Sequence, residues 1–251
     1  MTRNLKLVLE FDGSNYAGWQ YQPNRPTVQG ELESALGKVV RQEVTVYGCG
    51  RTDAGVSARR YVASFHADGH DRIVERFGSC PEAAERLRAA LNHFLPEDIH
   101  VLSVEEAPAD FHARFSARRK TYIYRIVRAT SPLRRRHAWE YRYPLDVERM
   151  RRAASLFEGR RDFQPFCQTR DVNGICGVDT VAIAATGDEV TVAVRGDRFL
   201  YKMVRRIAGA LAACGSGRLT QKDVRAALAG RPHTAFQTAP AQGLVLDSVE
   251  Y

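Results

Sequence analysis

Residues 48–58 read Gly-Cys-Gly-Arg-Thr-Asp-Ala-Gly-Val-Ser-Ala, between strand-forming runs at 44–47 and 61–65. Two side chains in this stretch can do chemistry: the guanidinium of Arg51 and, two positions on, the carboxylate of Asp53. Glycines at 48, 50 and 55 permit tight turning and positive φ. An ionised carboxylate held in such a loop, at the end of a sheet, sits where catalytic groups often lie. The same spacing also serves a plain turn in which the aspartate caps its own backbone. The rest of the chain has to decide between the two.

The elements that would position this loop follow a regular order. Leu5, Leu7, Leu9 and Phe11 alternate, a strand buried on one face. Asp12-Gly13-Ser14-Asn15-Tyr16 breaks it. Thr27 is placed to cap a helix that carries Val28, Leu32, Leu36 and Val39 on one stripe. The strand at 44–47, the loop and the strand at 61–66 come next. A second helix is expected from Pro81 to about Phe94, and a strand at 99–104 ends the first half.

The second half repeats the order. A strand at 122–127 is expected to be covered on both faces. Asp146 caps a helix with Val147, Met150, Ala154 and Phe157, which stops at Gly159. Strands at 179–185 and 190–195 join through Thr186-Gly187-Asp188-Glu189. A helix presents Phe199, Met203, Ile207 and Leu211; a short capped helix from Thr220 to Leu228 is an addition, and a strand at 243–249 closes the chain. Each half is thus β-α-β-β-α-β, the ferredoxin-like or RRM-like unit. The expected fold is α+β, two such halves at 1–110 and 111–251 forming one extended mixed sheet with a central RNA-binding cleft. Many functions share this unit, so the fold alone does not choose one.

At 251 residues the chain can bury a real core. No apolar run is long enough to span a bilayer, and residues 1–6 lack a signal-peptide core, so the expected location is cytoplasmic. Five cysteines at irregular spacing make no disulfide framework, and without C-x-x-C or H-E-x-x-H no metal is expected. The net charge of +8 is carried mainly by arginine clusters at 59–60, 118–119, 134–136, 151–152, 160–161 and 205–206. Aromatic residues interleave with them, a mixture that suits phosphate contacts and base stacking. A non-catalytic tandem RNA-binding module would share that charge and fold, but no aromatic-rich RNP1 strand is present.

An ordered set of motifs from end to end resembles the bacterial TruA family of tRNA pseudouridine synthases. It comprises Phe11-Asp12-Gly13 through Trp19-Gln20, Thr27-Val28-Gln29-Gly30-Glu31-Leu32, Gly50-Arg51-Thr52-Asp53-Ala54-Gly55-Val56, Leu91-Asn92, Leu95-Pro96-Glu97-Asp98-Ile99 and Phe111-His112-Ala113-Arg114-Phe115-Ser116-Ala117. Tyr122-Ile123-Tyr124, Asp162-Phe163, Phe199-Leu200-Tyr201-Lys202-Met203-Val204-Arg205 and Ala239-Pro240-Ala241-Gln242-Gly243-Leu244 complete it.

The resemblance implies isomerisation of uridine to pseudouridine in the tRNA anticodon stem-loop, at positions 38, 39 and 40, by a homodimer without cofactor or metal. It makes Asp53 the catalytic nucleophile with Arg51 beside it. It brings Arg205 from the second half, sets Tyr122 against the target uracil and packs Leu244 on it. A synthase of the same family acting on another RNA keeps the chemistry and changes the substrate.

The reaction breaks N1–C1′, turns the uracil and joins C5 to C1′, with nothing added or lost. A carboxylate suits it, by attacking the sugar carbon or taking a sugar proton, and a neighbouring arginine favours a carboxylate's charged form. A stem nucleotide must be flipped out to be reached. The A-form major groove is too narrow to read, which favours recognition through the backbone. Arg118, Arg119, Arg134, Arg135 and Arg136 are the candidates for phosphate contacts. Three departures stand out: Ser57 replaces the histidine common in bacterial members, Arg59-Arg60-Tyr61 follows where those members carry Gly-Gln, and Arg161 replaces the histidine of His-Asp-Phe. His112 and Cys49 read as structural.

Overall fold

The computed structural model describes residues 3–67, 82–169, 173–231 and 237–251. Contacts divide the chain into two units, Met1–Arg118 with Leu246–Tyr251, and Arg119–Val245. Both are α+β.

The first unit runs β1 (Arg3–Phe11), α1 (Val28–Val40), β2 (Tyr47–Gly48), β3 (Ser57–Ala67), α2 (Glu82–Phe94) and β4 (Ile99–Ala107). Its sheet has the order β4-β1-β3 with β2 on β3, all neighbours antiparallel. That is the strand order of a split βαβ unit. In β1 the expected apolar face is buried, but Asn4 and Val8 on the other face are buried too. The Asn4 amide is tolerated there because it donates to the carbonyls of Pro108 (2.9 Å) and Phe111 (2.6 Å).

Helix α1 starts where the Thr27 hydroxyl accepts from the Gly30 N–H at 3.2 Å, and Val28, Leu32, Leu36 and Val39 are buried together. The run expected as a strand at 44–47 is one only at Tyr47–Gly48. The reason lies on α1. The Val46 N–H donates to Glu33 Oε1 (3.0 Å) and its carbonyl accepts from Gln29 Nε2 (3.2 Å), so side chains of the helix take the place of a strand partner. The expected start of the second helix at Pro81 lies outside the described residues. At its other end, the Asn92 side chain bonds both the N–H and the carbonyl of Val101 (2.7 and 2.9 Å), fixing α2 on β4.

The second unit contains β5 (Arg119–Val127), β6 (Trp139–Glu140), α3 (Val147–Ala154), β7 (Gly159–Asp162), β8 (Ile175–Thr186), β9 (Glu189–Gly196), α4 (Met203–Gly215) and α5 (Gln221–Leu228). The closing strand β10 (Leu244–Glu250) begins in this unit and finishes in the first. The order β5-β9-β8-β7 is antiparallel throughout, and β6 adds in parallel to β5. β5, α3, β8, β9, α4 and β10 repeat the β-α-β-β-α-β order; β6, β7 and α5 are additions. β5 differs from expectation, since Tyr124, Ile126 and Val127 are buried while Tyr122, Ile123 and Arg125 are half-exposed. Asp146 Oδ1 caps α3 by accepting from the Arg149 N–H at 3.0 Å, and a capping box of Thr220 and Asp223 starts α5. Helix α4 begins only at Met203, because Lys202 takes a left-handed φ of 61° at its N-cap. Phe199 therefore precedes the helix.

Two glycines in helices respond oppositely to alanine. A Cβ on Gly209 in α4 would lie 1.9 Å from the Gln237 carbonyl oxygen, whereas one on Gly37 in α1 meets only the Gln42 carbonyl at 3.5 Å. Gly209→Ala should lower the free energy of unfolding by about 1–3 kcal/mol through overpacking. Gly37→Ala should raise it by about 0.5–1 kcal/mol through helix propensity. Urea denaturation of both variants checks the pair.

Candidate active site

The loop between β2 and β3 is held from three sides. From below, the Tyr61 ring on β3 stacks on Trp19 (centroids 4.1 Å apart, 25° between planes), and its hydroxyl donates to the Gly50 carbonyl. Gly48 leaves room for both rings: a Cβ there would lie 2.1 Å from Tyr61 Oη and 2.5 Å from Trp19 Cε2. From the side, the Trp19 N–H donates to the Thr52 carbonyl at 3.3 Å. Gly18, at φ 102°, permits that approach, since a Cβ would stand 2.4 Å from the same oxygen. From above, the Gly55 N–H donates to the Tyr16 carbonyl (3.3 Å), and the Tyr16 hydroxyl is itself tied to Asp98.

Within the loop the Val56 N–H donates to the Asp53 carbonyl at 3.2 Å, closing a turn in which Gly55 takes a φ of 79°. Of the three glycines read for positive φ, only Gly55 uses it; Gly48 is there for space. Asp53 is half-buried at the head of this turn, and Arg51 is exposed two residues before it. A carboxylate so fixed, reachable from outside yet backed by core, is placed to meet a reacting atom without first ordering its own backbone.

Ser57 contributes something its type alone did not reveal. Its Oγ accepts from the Gly13 N–H (3.0 Å) and donates to Asp12 Oδ1 (3.3 Å), and the same oxygen accepts the Ser14 N–H (3.0 Å). The serine thereby ties the end of the loop to the turn after β1. The only hint in the sequence was Asp12-Gly13-Ser14, a turn signature without a visible partner.

In the second unit the residues meet around the start of α4. Arg205 Nε donates to the Ala239 carbonyl at 2.8 Å while the Ala239 N–H donates to the Arg205 carbonyl at 3.2 Å. The Tyr124 hydroxyl donates to the Pro240 carbonyl at 2.8 Å. Burial pushes the Tyr124 phenol well above its usual range, with Arg205 close enough to oppose the shift. Tyr124 therefore stays neutral and anchors the segment that leads to Leu244. Tyr122, two residues earlier on the same face of β5, is half-exposed and meets Phe199 edge-on at 5.1 Å. Leu244 is buried. The structure thus places Arg51 and Asp53 on one loop of the first unit, and Tyr122, Arg205 and Leu244 in the second. Tyr124 and the backbone of Ala239–Pro240, which orient Arg205, were not singled out from sequence; only their presence in the motifs pointed to them.

The arginines expected at phosphates divide into two kinds. Arg119 Nε pairs with Asp179 at 2.6 Å, sharing it with Arg195 (2.8 Å), and Arg134 forms a bidentate pair with Asp188. The Arg134 guanidinium, hydrogen-bonded to it, holds the Asp188 carboxyl below the usual carboxylate range. Arg118, Arg135 and Arg136 are exposed. Cys49, Cys167, Cys176 and Cys214 are buried. Among the described residues no three His, Cys, Asp or Glu side chains are grouped to hold a metal ion, and no helix is long and apolar enough to cross a membrane.

Comparison with known proteins converges on one family. The chain matches the tRNA pseudouridine synthase family over residues 7–116 and 153–251. It is 42% identical over 254 residues to a tRNA pseudouridine synthase A of Moorella thermoacetica, covering 98% of this chain and 99% of that one. It is 39% identical to the protein of the same name from Halalkalibacterium halodurans (97% and 90% covered), and 40% identical to that of Solibacter usitatus (99% and 100%). A solved chain from a Cbf5-Nop10-Gar1 complex aligns at a TM-score of 0.35 and 12% identity over 83% of this chain and 54% of that one, too remote to bear on the fold. With its signature loop, and at two-fifths identity to these relatives over nearly full length, the chain belongs to the tRNA pseudouridine synthase family of isomerases.

Proposed function

We propose that this chain isomerises uridine to pseudouridine in the anticodon stem-loop of tRNA, at positions 38, 39 and 40, with Asp53 as the nucleophile. The observation that carries the reading is the half-buried Asp53 on the family's signature loop, whose backbone is held from three sides. Asp53 acts at the ribose as the N1–C1′ bond breaks, and Arg51 beside it faces the substrate's negative charge. Arg205, held by Ala239, contributes a second cation. Tyr122 and Leu244 confine the detached uracil while it turns, so that C5 rather than N1 meets C1′. The C5 proton is then lost to a base and N1 gains a proton, which leaves an isomer and needs no oxidant or donor. The half-exposed phenol of Tyr122 suits both stacking and that proton removal. The same reading takes the protein to act in the cytoplasm and as a homodimer, the latter as its motifs imply by resemblance.

Tritium release from C5-labelled uridine in unmodified tRNA transcripts tests the reaction. The wild type should release tritium, and Asp53→Asn should lower kcat by at least about 10³-fold, as loss of a nucleophile does. Its tRNA affinity should stay within about twofold of wild type, because recognition rests on other contacts. Tight binding without release from any tRNA would make the chain a binding module instead.

Tyr122→Phe keeps a ring for stacking and removes the phenol. It should lower kcat by roughly 10²-fold, within the range for loss of an acid–base group, with Kd for tRNA unchanged. Single-turnover kinetics would show this, and an unchanged kcat would leave Tyr122 as a stacking wall alone.

The exposed arginines should act through phosphates. Arg135→Gln is expected to weaken binding of all tRNAs alike and to reduce the slope of log K against log salt by about 1. Filter binding between low and moderate salt measures it.

A further inference from the structure

The first unit shows a row of aromatic rings outside its core and beside the catalytic loop. Phe115 is 76% exposed and Tyr47 43% exposed. His112 lies between them, its ring centroid 4.4 Å from that of Phe115 and 5.1 Å from that of Tyr47, with tilts of 42° and 44°. The Arg114 guanidinium carbon stands 5.5 Å from the Phe115 centroid. A single exposed ring would need no explanation, but a contiguous row of them marks an interaction surface.

The row is held rigidly. His112 Nδ1 accepts from the Arg114 N–H (3.0 Å) and the Phe115 N–H (3.4 Å), and Ser116 closes the turn through its N–H and Oγ to the His112 backbone. The Ala113 N–H donates to Ser64 Oγ at 3.1 Å, and the Ala113 carbonyl accepts from the Tyr251 hydroxyl at 2.7 Å. Ser64 is also the register partner of Tyr47. One β3 residue therefore places both ends of the row, and Tyr47 is two residues upstream of Cys49 in the signature loop. With Nδ1 accepting, the ring proton sits on Nε2. Burial pushes the His112 pKa down, helped by the Arg114 charge and opposed by a backbone hydrogen bond, so the ring is neutral at neutral pH.

We infer that Tyr47, His112 and Phe115 form a stacking platform for unpaired nucleotides of the substrate RNA next to the target uridine, with Arg114 on an adjoining phosphate. The inference rests on the reading of the chain as an RNA-modifying isomerase and adds a binding surface to it. A row of three rings fits about one or two bases, and every base offers a π-face, so such a surface is tolerant of sequence. Flipping a uridine out of a stem–loop junction unstacks its neighbours. A platform beside the catalytic loop returns that stacking. A cation at one end and neutral rings along the rest suit a single strand, in which bases and phosphates alternate.

The test uses Asp53→Asn protein, so that RNA binds without turnover, and tRNA carrying 2-aminopurine at unpaired anticodon-loop positions. Stacking should quench the fluorophore on binding at one of those positions. Adding Phe115→Ala should abolish that quench and raise Kd about tenfold, the size of one base–aromatic stack, while Phe115→Trp restores both. The salt slope should not change in Phe115→Ala, since stacking releases no counterions. Unaltered quench and Kd in Phe115→Ala would overturn the inference. So would loss of self-association with RNA affinity intact, which would make the ring a protein contact. Tritium release by protein with native Asp53 separates the two failures. If that protein turns over and Phe115→Ala changes nothing, the platform alone is wrong; if no tRNA is turned over, the isomerase reading falls as well.

Discussion

The stack of Tyr61 on Trp19 is the contact on which the signature loop depends. Tyr61 projects from the longest strand of its unit, and its hydroxyl reaches past Gly48 to the Gly50 carbonyl. Trp19, pressed on the same ring, supplies the N–H for Thr52. Two backbone carbonyls flanking Arg51 are thus satisfied by two residues that also form the core. A buried carbonyl deprived of its donor costs about 1–3 kcal/mol, so the loop cannot shift while the stack is intact. Rigidity at Asp53 is therefore inherited from packing and not from the loop's own composition.

The second unit solves the same problem by other means. Arg205 lies in the first turn of α4, where a positive side chain gains nothing from the helix dipole. What fixes it is reciprocal bonding with Ala239, and that segment is held in turn by Tyr124 through Pro240. A neutral buried phenol serves as the anchor because it donates one hydrogen bond and carries no charge that would neutralise the guanidinium. The segment 237–240 also presses on α4 at Gly209, so helix and loop pack as one arrangement.

Charge is distributed with similar economy. Arg119 on β5 pairs with Asp179 on β8, beyond the intervening β9, and Arg134 pairs with Asp188 in the β8–β9 turn, whereas Arg118, Arg135 and Arg136 are exposed. Ion pairs at the surface contribute little to stability and are weakened by salt. An arginine count in the sequence overstates the ready phosphate contacts, since it does not see the aspartates opposite.

Much was legible in the chain itself. The alternation of Leu5, Leu7, Leu9 and Phe11, the stripe from Val28 to Val39 and the caps at Thr27, Asp146 and Thr220 are local matters, decided within a turn or a strand, and they predict the elements observed. The motifs around Arg51 and Asp53 likewise marked the candidate site, because the types and spacing of reacting groups are written in order. What folding in three dimensions decided is whatever depends on partners distant in sequence. Glu33 and Gln29 displaced a strand pairing at Val46; Gly13 and Asp12 found Ser57; Ala239 took hold of Arg205; aspartates claimed Arg119 and Arg134; and Phe115 was left outside. Hydrogen bonds and packing are short-ranged in space and blind to chain separation, so the sequence by itself determined most of the elements and the candidate reacting groups, and only the tertiary structure decided which of those groups is held, paired or exposed.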